Sequence, residues 1–207
     1  MRSAHTRGSA YYPRSTCTNR ADKRANPRSL KLPHSIEILL DSDTDAAIRD
    51  QWHTLEEAGI PNSGQIRAGT VSPHCTLLVG TTISPAADTA VASTAQRLPF
   101  TLSVGGALVF PTKNRFILAR SVVPSSELLA VHATMFRLAD DHVTGLVQHC
   151  APGQWTPHVT LGRRLTAEQV ATALDVLSWS KIDGRAARLR RWDSDEKVEV
   201  VAPGRAC

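Results

Sequence analysis

A five-residue pattern, Pro-His-x-Thr-Leu, occurs twice in this 207-residue chain, as Pro73-His74-Cys75-Thr76-Leu77 and as Pro157-His158-Val159-Thr160-Leu161. It limits the possible folds because each copy holds the same place in a longer repeated pattern. The first follows an apolar run, His34–Asp41, and a segment opening at Ser42 with Ile48, Trp52 and Leu55 at helical spacing before Gly59. The second follows an apolar run over 115–120 and a segment carrying Leu128, Val131, Met135 and Leu138 on one stripe. A further helix signal follows each copy. Ser84-Pro85 places proline at the tolerated first helical position, and Thr166 with Gln169 forms a capping box. Strands come next, over 100–110 with a bulge at Gly105-Gly106, and over 186–191 and 197–201. Each half reads strand, helix, strand, helix, strand, with 38 residues from Ile36 to His74 and 42 from Phe116 to His158. Self-similarity on this scale points to an internal duplication.

The spacing inside the pattern has a chemical sense. Residues two apart on a strand share a face, so His74 lies with Thr76 and His158 with Thr160. Cys75 and Val159 then turn toward apolar packing. If the halves face each other across a pseudo-twofold axis, two imidazoles and two hydroxyls meet in one cleft. Two histidines of ordinary pKa, about 6.5, can divide acid and base work at neutral pH, and threonine hydroxyls can donate to phosphate oxygens. That set suits in-line displacement at phosphorus with a departing sugar hydroxyl and no metal. The pseudo-symmetry leaves open which histidine is acid and which is base.

On these two motifs the sequence resembles the 2H phosphoesterase superfamily, and within it the bacterial RNA 2′,3′-cyclic phosphodiesterase or 2′-5′ RNA ligase family. The resemblance covers roughly residues 34–202. It implies an α+β, bilobal duplicated fold with two antiparallel-rich sheets facing across a cleft and helices outside. It also implies catalytic His74 and His158, phosphate-binding Thr76 and Thr160, and hydrolysis of 2′,3′-cyclic phosphate ends of RNA or small nucleotides. The alternatives are 2′-5′ RNA ligation at the same site, run in reverse, and an inactive RNA-binding module. The substrate that the resemblance implies is an RNA end or a small cyclic nucleotide, with no cofactor.

Other residues are weaker candidates. Arg67, in the loop before the first motif, could grip a phosphate bidentately, and Trp155 could stack on a base or wedge between the lobes. The run Arg185, Arg188, Arg190, Arg191 reads as a solvated face or a path for an RNA backbone. No metal site is expected, because each motif supplies a single imidazole with no Asp, Glu or His two or four residues away.

Charge marks out a tail. Residues 1–33 hold eight Lys/Arg against the lone acid Asp22, while the rest holds 16 bases and 18 acids, so the overall charge of +5 belongs to the tail. Rich in Arg, Ser, Asn and Pro, that segment is expected to be disordered. Residues 34–202 form the bilobal domain and 203–207 a short C-terminal tail. The near-neutral body argues against a domain that coats nucleic acid through a basic face. No apolar run is long enough to span a membrane, and no apolar segment follows the basic start. Cys17, Cys75, Cys150 and Cys207 are scattered, which fits neither a disulfide framework nor a zinc ribbon. A cytoplasmic monomer is the expectation.

Overall fold

The computed structural model describes residues 33–66 and 71–205. The expectations for residues 1–32 and for Arg67 lie outside these. In chain order the elements are β1 (His34–Leu40), α1 (Ser42–Glu57), β2 (His74–Gly80), β3 (Thr82–Ile83), α2 (Asp88–Ala95), β4 (Phe100–Pro111) and β5 (Phe116–Val122). They continue with α3 (Ser126–Ala139), β6 (Val143–Thr144), β7 (His158–Leu165), α4 (Ala167–Val176), β8 (Ile182–Asp193) and β9 (Val198–Pro203).

Local chemistry accounts for the boundaries. Asp41, one residue before the expected start, caps α1, its carboxylate accepting from the Asp43 and Thr44 backbone N–H groups at 3.2 and 3.1 Å. Gly59, at φ +68°, takes the left-handed position just past the end of that helix. Thr166 and Gln169 form both bonds of the expected capping box on α4. Ser84-Pro85 opens only a 3₁₀ turn, Pro85–Ala87, and α2 starts after it. Two-residue β3 and β6 pair with each other, too short to leave a periodic signal.

All strand pairing is antiparallel, and the α+β class is as expected. The order β1-β2-β7-β5-β4-β8-β9, with β8 also pairing with β1, joins six strands in a ring. The expected pair of facing sheets is therefore continuous through hydrogen bonds. One side holds β2, β1 and β8; the other holds β7, β5 and β4. Each side combines the first two strands of one sequence half with the last long strand of the other. Two seams link the sides: β4 against β8, from Phe100↔Ala186 to Val104↔Ile182, and a lone β2–β7 pairing, Cys75↔Val159.

That lone pairing sits at the middle residue of the two motifs. Cys75 and Val159 are both fully buried. The leucine that closes each motif is an extra residue in its ladder. Glu37 opposes Thr76 and Ile36 opposes Leu78, so Leu77 is bulged out of register. In the same way Ala119 opposes Thr160 and Leu118 opposes Gly162, so Leu161 is the bulge. Both leucines are fully buried in a core that also holds Ile38, Leu118 and Leu189. Helix α1 adds Ile48, Trp52 and Leu55 to it, and α3 adds Leu128, Val131 and Met135.

The basic run on β8 needs correction. Arg190 and Arg191 are buried, each only 4% exposed, because acids from elsewhere in the fold meet them. Arg190 pairs with Glu37 and Glu199, and Arg191 with Asp88. Arg185 and Arg188 remain exposed.

Candidate active site

The two motif histidines are held alike. In His74 the Nδ1–H donates to the Ser72 carbonyl at 2.7 Å, and in His158 it donates to the Thr156 carbonyl at 2.7 Å. A carbonyl can only accept, so both protons are fixed on Nδ1 and both Nε2 atoms are turned away from the backbone. The antiparallel register around Cys75↔Val159 places His74 across from Thr160 and Thr76 across from His158. With the middle residues buried behind, the two imidazoles and two hydroxyls occupy one face. His74, Thr160 and Arg163 line one recess there together with Ser63 and Trp52. Ser63 is buried, and its hydroxyl has no partner among the described residues.

The surroundings of the two imidazoles differ. The Glu37 Oε1 atom lies 3.5 Å from His74 Nε2. Glu37 is itself buried; its Oε1 accepts from the Ser35 hydroxyl at 2.5 Å, and its Oε2 from Arg190 Nη2 at 2.6 Å and Nε at 3.0 Å. Burial pushes the Glu37 carboxyl up, but His74, Arg190 and the Ser35 bond outweigh it and hold the group below the usual carboxylate range. His158 instead lies against the Phe110 ring, with centroids 4.8 Å apart. Burial pushes His158 below the usual imidazole value. Its bond to the Thr156 carbonyl opposes this, and the nearby Arg163, His74 and His149 side chains add to it.

Two residues escaped the sequence reading. Regular alternation from His158 puts Arg163 on the opposite face of the strand. The Leu161 bulge reverses the alternation and brings Arg163 beside His74 and Thr160. The signal available was Gly162, where a Cβ would stand 2.6 Å from the Pro61 carbonyl oxygen. Glu37 was missed because strand order, not sequence distance, brings it to His74.

Trp155 packs against the first motif. Its indole N–H donates to the Thr76 carbonyl at 2.9 Å, and its ring stacks on His132 at 4.0 Å. One ring face is thereby occupied. His132 is buried and bonds the Cys150 carbonyl at 2.9 Å. Among the described residues no group of three or more His, Cys, Asp or Glu is placed to hold a metal, and no helix is long and apolar enough to cross a membrane.

Comparison with known proteins identifies the family. The family described as the 2'-5' RNA ligase superfamily matches residues 44–197, well over half of the chain. None of the curated proteins matches it. Among solved structures, Kluyveromyces marxianus Usb1 with uridine monophosphate is 11% identical, with TM-score 0.49, over 83% of this chain and 97% of that one. TT0787 of Thermus thermophilus is 14% identical, with TM-score 0.49, over 83% and 94%. E. coli LigT complexed with ATP is 18% identical, with TM-score 0.44, over 83% and 94%.

Proposed function

Since this chain belongs to the 2'-5' RNA ligase superfamily, we propose that it hydrolyses 2′,3′-cyclic phosphate ends of RNA or of small nucleotides. Phosphoesterase or RNA-ligase chemistry is the general activity of such a chain; the cyclic phosphodiester is the more specific reading. The observation that carries it is the matched tethering of His74 and His158, with both Nδ1–H groups spent on carbonyls two residues upstream. Two imidazoles so held offer a basic nitrogen and an acidic N–H on opposite sides of one phosphorus atom. One takes a proton from water as its oxygen attacks phosphorus. The other gives a proton to the ribose oxygen as its bond to phosphorus breaks. In this reading Thr76 and Thr160 donate to the equatorial oxygens, and Arg163 offsets their charge. No metal enters this scheme. The ligase reading uses the same groups with an RNA 5′-hydroxyl in place of water, and the family description supports it as the second reading.

The test is a panel of 2′,3′-cyclic nucleotides with 3′,5′-cyclic controls, run with and without EDTA, with the position of the product phosphate determined. Turnover of the 2′,3′-cyclic substrates that survives chelation supports the proposal. Turnover lost in EDTA and restored by zinc or magnesium overturns the two-histidine scheme.

A further inference from the structure

We propose that Glu37 is a positioning residue that fixes the division of labour, holding His74 as the acid that protonates the leaving oxygen and leaving His158 as the base that activates water. This rests on the two-histidine reading above and goes beyond it, because the motifs themselves are symmetric.

The argument starts from the register. Glu37 is the residue opposite Thr76, and Ala119 is the residue opposite Thr160. The two are equivalent under the pseudo-twofold relation. On the next strand outward, Arg190 opposes Glu37 and Leu108 opposes Ala119. One half-site is thus backed by an ion pair, and the other by an alanine and a leucine in the same backbone positions. Nothing in the fold demands the ion pair there, since the other half does without it.

The ion pair is built to aim one oxygen at His74. Both Arg190 bonds fall on Glu37 Oε2, and the Ser35 hydroxyl fixes Oε1, which faces His74 Nε2 at 3.5 Å. Arg190 is held in turn by Glu199 at 3.0 Å, so the carboxylate cannot swing away. With Nδ1–H committed to Ser72, a second proton on His74 must sit on Nε2, next to this acceptor. Arg163 also lines the recess of His74, where the Glu37 carboxylate offsets it, whereas no carboxylate is among the groups acting on His158: Arg163 on its own strand, His149 from the preceding loop, His74 across the seam and the Phe110 ring. Positive neighbours and an aromatic wall favour a neutral imidazole with a free Nε2 lone pair. In the reaction, His158 Nε2 takes the water proton as the new P–O bond forms. His74 Nε2–H passes its proton to the ribose oxygen as the old P–O bond breaks. Exchange with solvent then restores both.

The experiment is the pH dependence of kcat/KM on a 2′,3′-cyclic nucleotide for wild type, His74→Ala, His158→Ala and Glu37→Gln. The wild type traces a bell whose limbs belong to the pair. His74→Ala should lose the alkaline limb, because the group that must carry a proton is gone. His158→Ala should lose the acid limb. Glu37→Gln should move the alkaline limb toward acid pH by about one unit and lower the rate at pH 7 about tenfold, leaving the acid limb in place. Glu37→Gln leaves Arg190 short of a buried partner, so a second variant guards against misfolding. Glu37→Ala with Arg190→Leu copies the Ala119–Leu108 pair already present in the other half, and it should show the same moved limb. Limbs lost in the opposite assignment, or a bell that neither Glu37 variant moves while both histidine variants lose activity, overturn the role of Glu37. Undiminished turnover in either histidine variant overturns the two-histidine reading itself.

Discussion

The half-site on β1 and β2 and the half-site on β5 and β7 share a backbone plan down to the bulged leucine, yet their second layers are unlike. Behind Thr76 stands Glu37 with Arg190, and behind Thr160 stands Ala119 with Leu108. The contrast continues one residue along each strand. Ile38 in the first half is apolar, while Arg120 at the equivalent place in the second is fully buried. Arg120 donates to the carbonyls of Gly105, Ser178 and Ser180 at 2.5, 2.9 and 2.6 Å and lies over the Trp179 ring. Where the motifs end, Val79 holds the place that Arg163 holds in the other half. The two halves share the motif residues and differ in the residues packed behind them. The divergent residues are the ones that can make two identical imidazoles unequal.

The largest expected effect tests the shared part. His74→Ala and His158→Ala should each lower kcat/KM on a 2′,3′-cyclic nucleotide by about 10²–10⁴-fold, the usual range for one acid–base group. The double variant should lose far less than the product of the two, because groups acting as a unit are not additive. Steady-state rates on purified variants with unchanged melting temperatures decide this. A single variant at wild-type rate breaks the equivalence of the half-sites.

The next effect tests the unshared part through stability. Arg190→Leu leaves the Glu37 carboxylate buried without its main partner, and breaking a buried pair from one side costs about 3–5 kcal/mol. Adding Glu37→Ala should recover most of that loss, since the same pair of residue types is stable in the other half. The pH dependence has a definite sign. Glu37 is held below its ordinary value in the folded protein, so its contribution is complete above the unfolded pKa, about 4.5. It is lost as pH falls through the lower folded value. The melting temperature of the wild type should therefore drop more steeply than that of the double variant as the pH is taken from 5 to about 3. Parallel curves would show that the ion pair adds nothing over the apolar pair.

Much of this was legible in the sequence for a physical reason. Period-two and period-3.6 patterns report local burial, and Thr166 with Gln169, Gly59 and the Gly105-Gly106 bulge all acted locally as their chemistry requires. The burial of Cys75 and Val159 behind the motifs followed from the alternation within them. What could not be read depended on contacts across strands. Arg190 and Arg191 look like surface charge until Glu37 and Asp88 are brought to them from 153 and 103 residues away. Arg163 was hidden by a register shift that inverts the strand face, and Glu37 by an antiparallel β1–β2 register that no local pattern specifies.

A smaller effect compares the hydroxyls. Thr76→Ala and Thr160→Ala should reduce kcat/KM about 10-fold to 10³-fold, less than the histidine variants, since a donor stabilises charge without moving the proton. Thr160 shares its recess with Arg163, while Thr76 has Val79 at the matching place. Thr76→Ala should therefore be the more damaging of the two, because Arg163 shares the recess of Thr160 and can offset the lost donor there. Equal losses would show that Arg163 serves both half-sites alike.

The smallest expected effect concerns the seam. Cys75 and Val159 are the middle residues of the two motifs, each fully buried, and their pairing joins β2 to β7. If the seam is equivalent from both sides, Cys75→Val and Val159→Cys should each cost less than about 1.5 kcal/mol, the usual limit for volume-conserving swaps in a core. The exchanged double variant should melt within a few degrees of wild type and keep its rate on a cyclic nucleotide, because neither side chain reaches the reacting face. The thiol itself reports on the packing. Burial pushes Cys75 up to about 12, so almost none is thiolate near neutrality, and the thiolate is the reactive form. Native protein at pH 8 should resist alkylation by iodoacetamide at Cys75, and Val159→Cys should resist it equally at its new position. Fast modification at one position and not at the other would show that the two strands pack differently behind the motifs, and that the equivalence of the halves stops at the register.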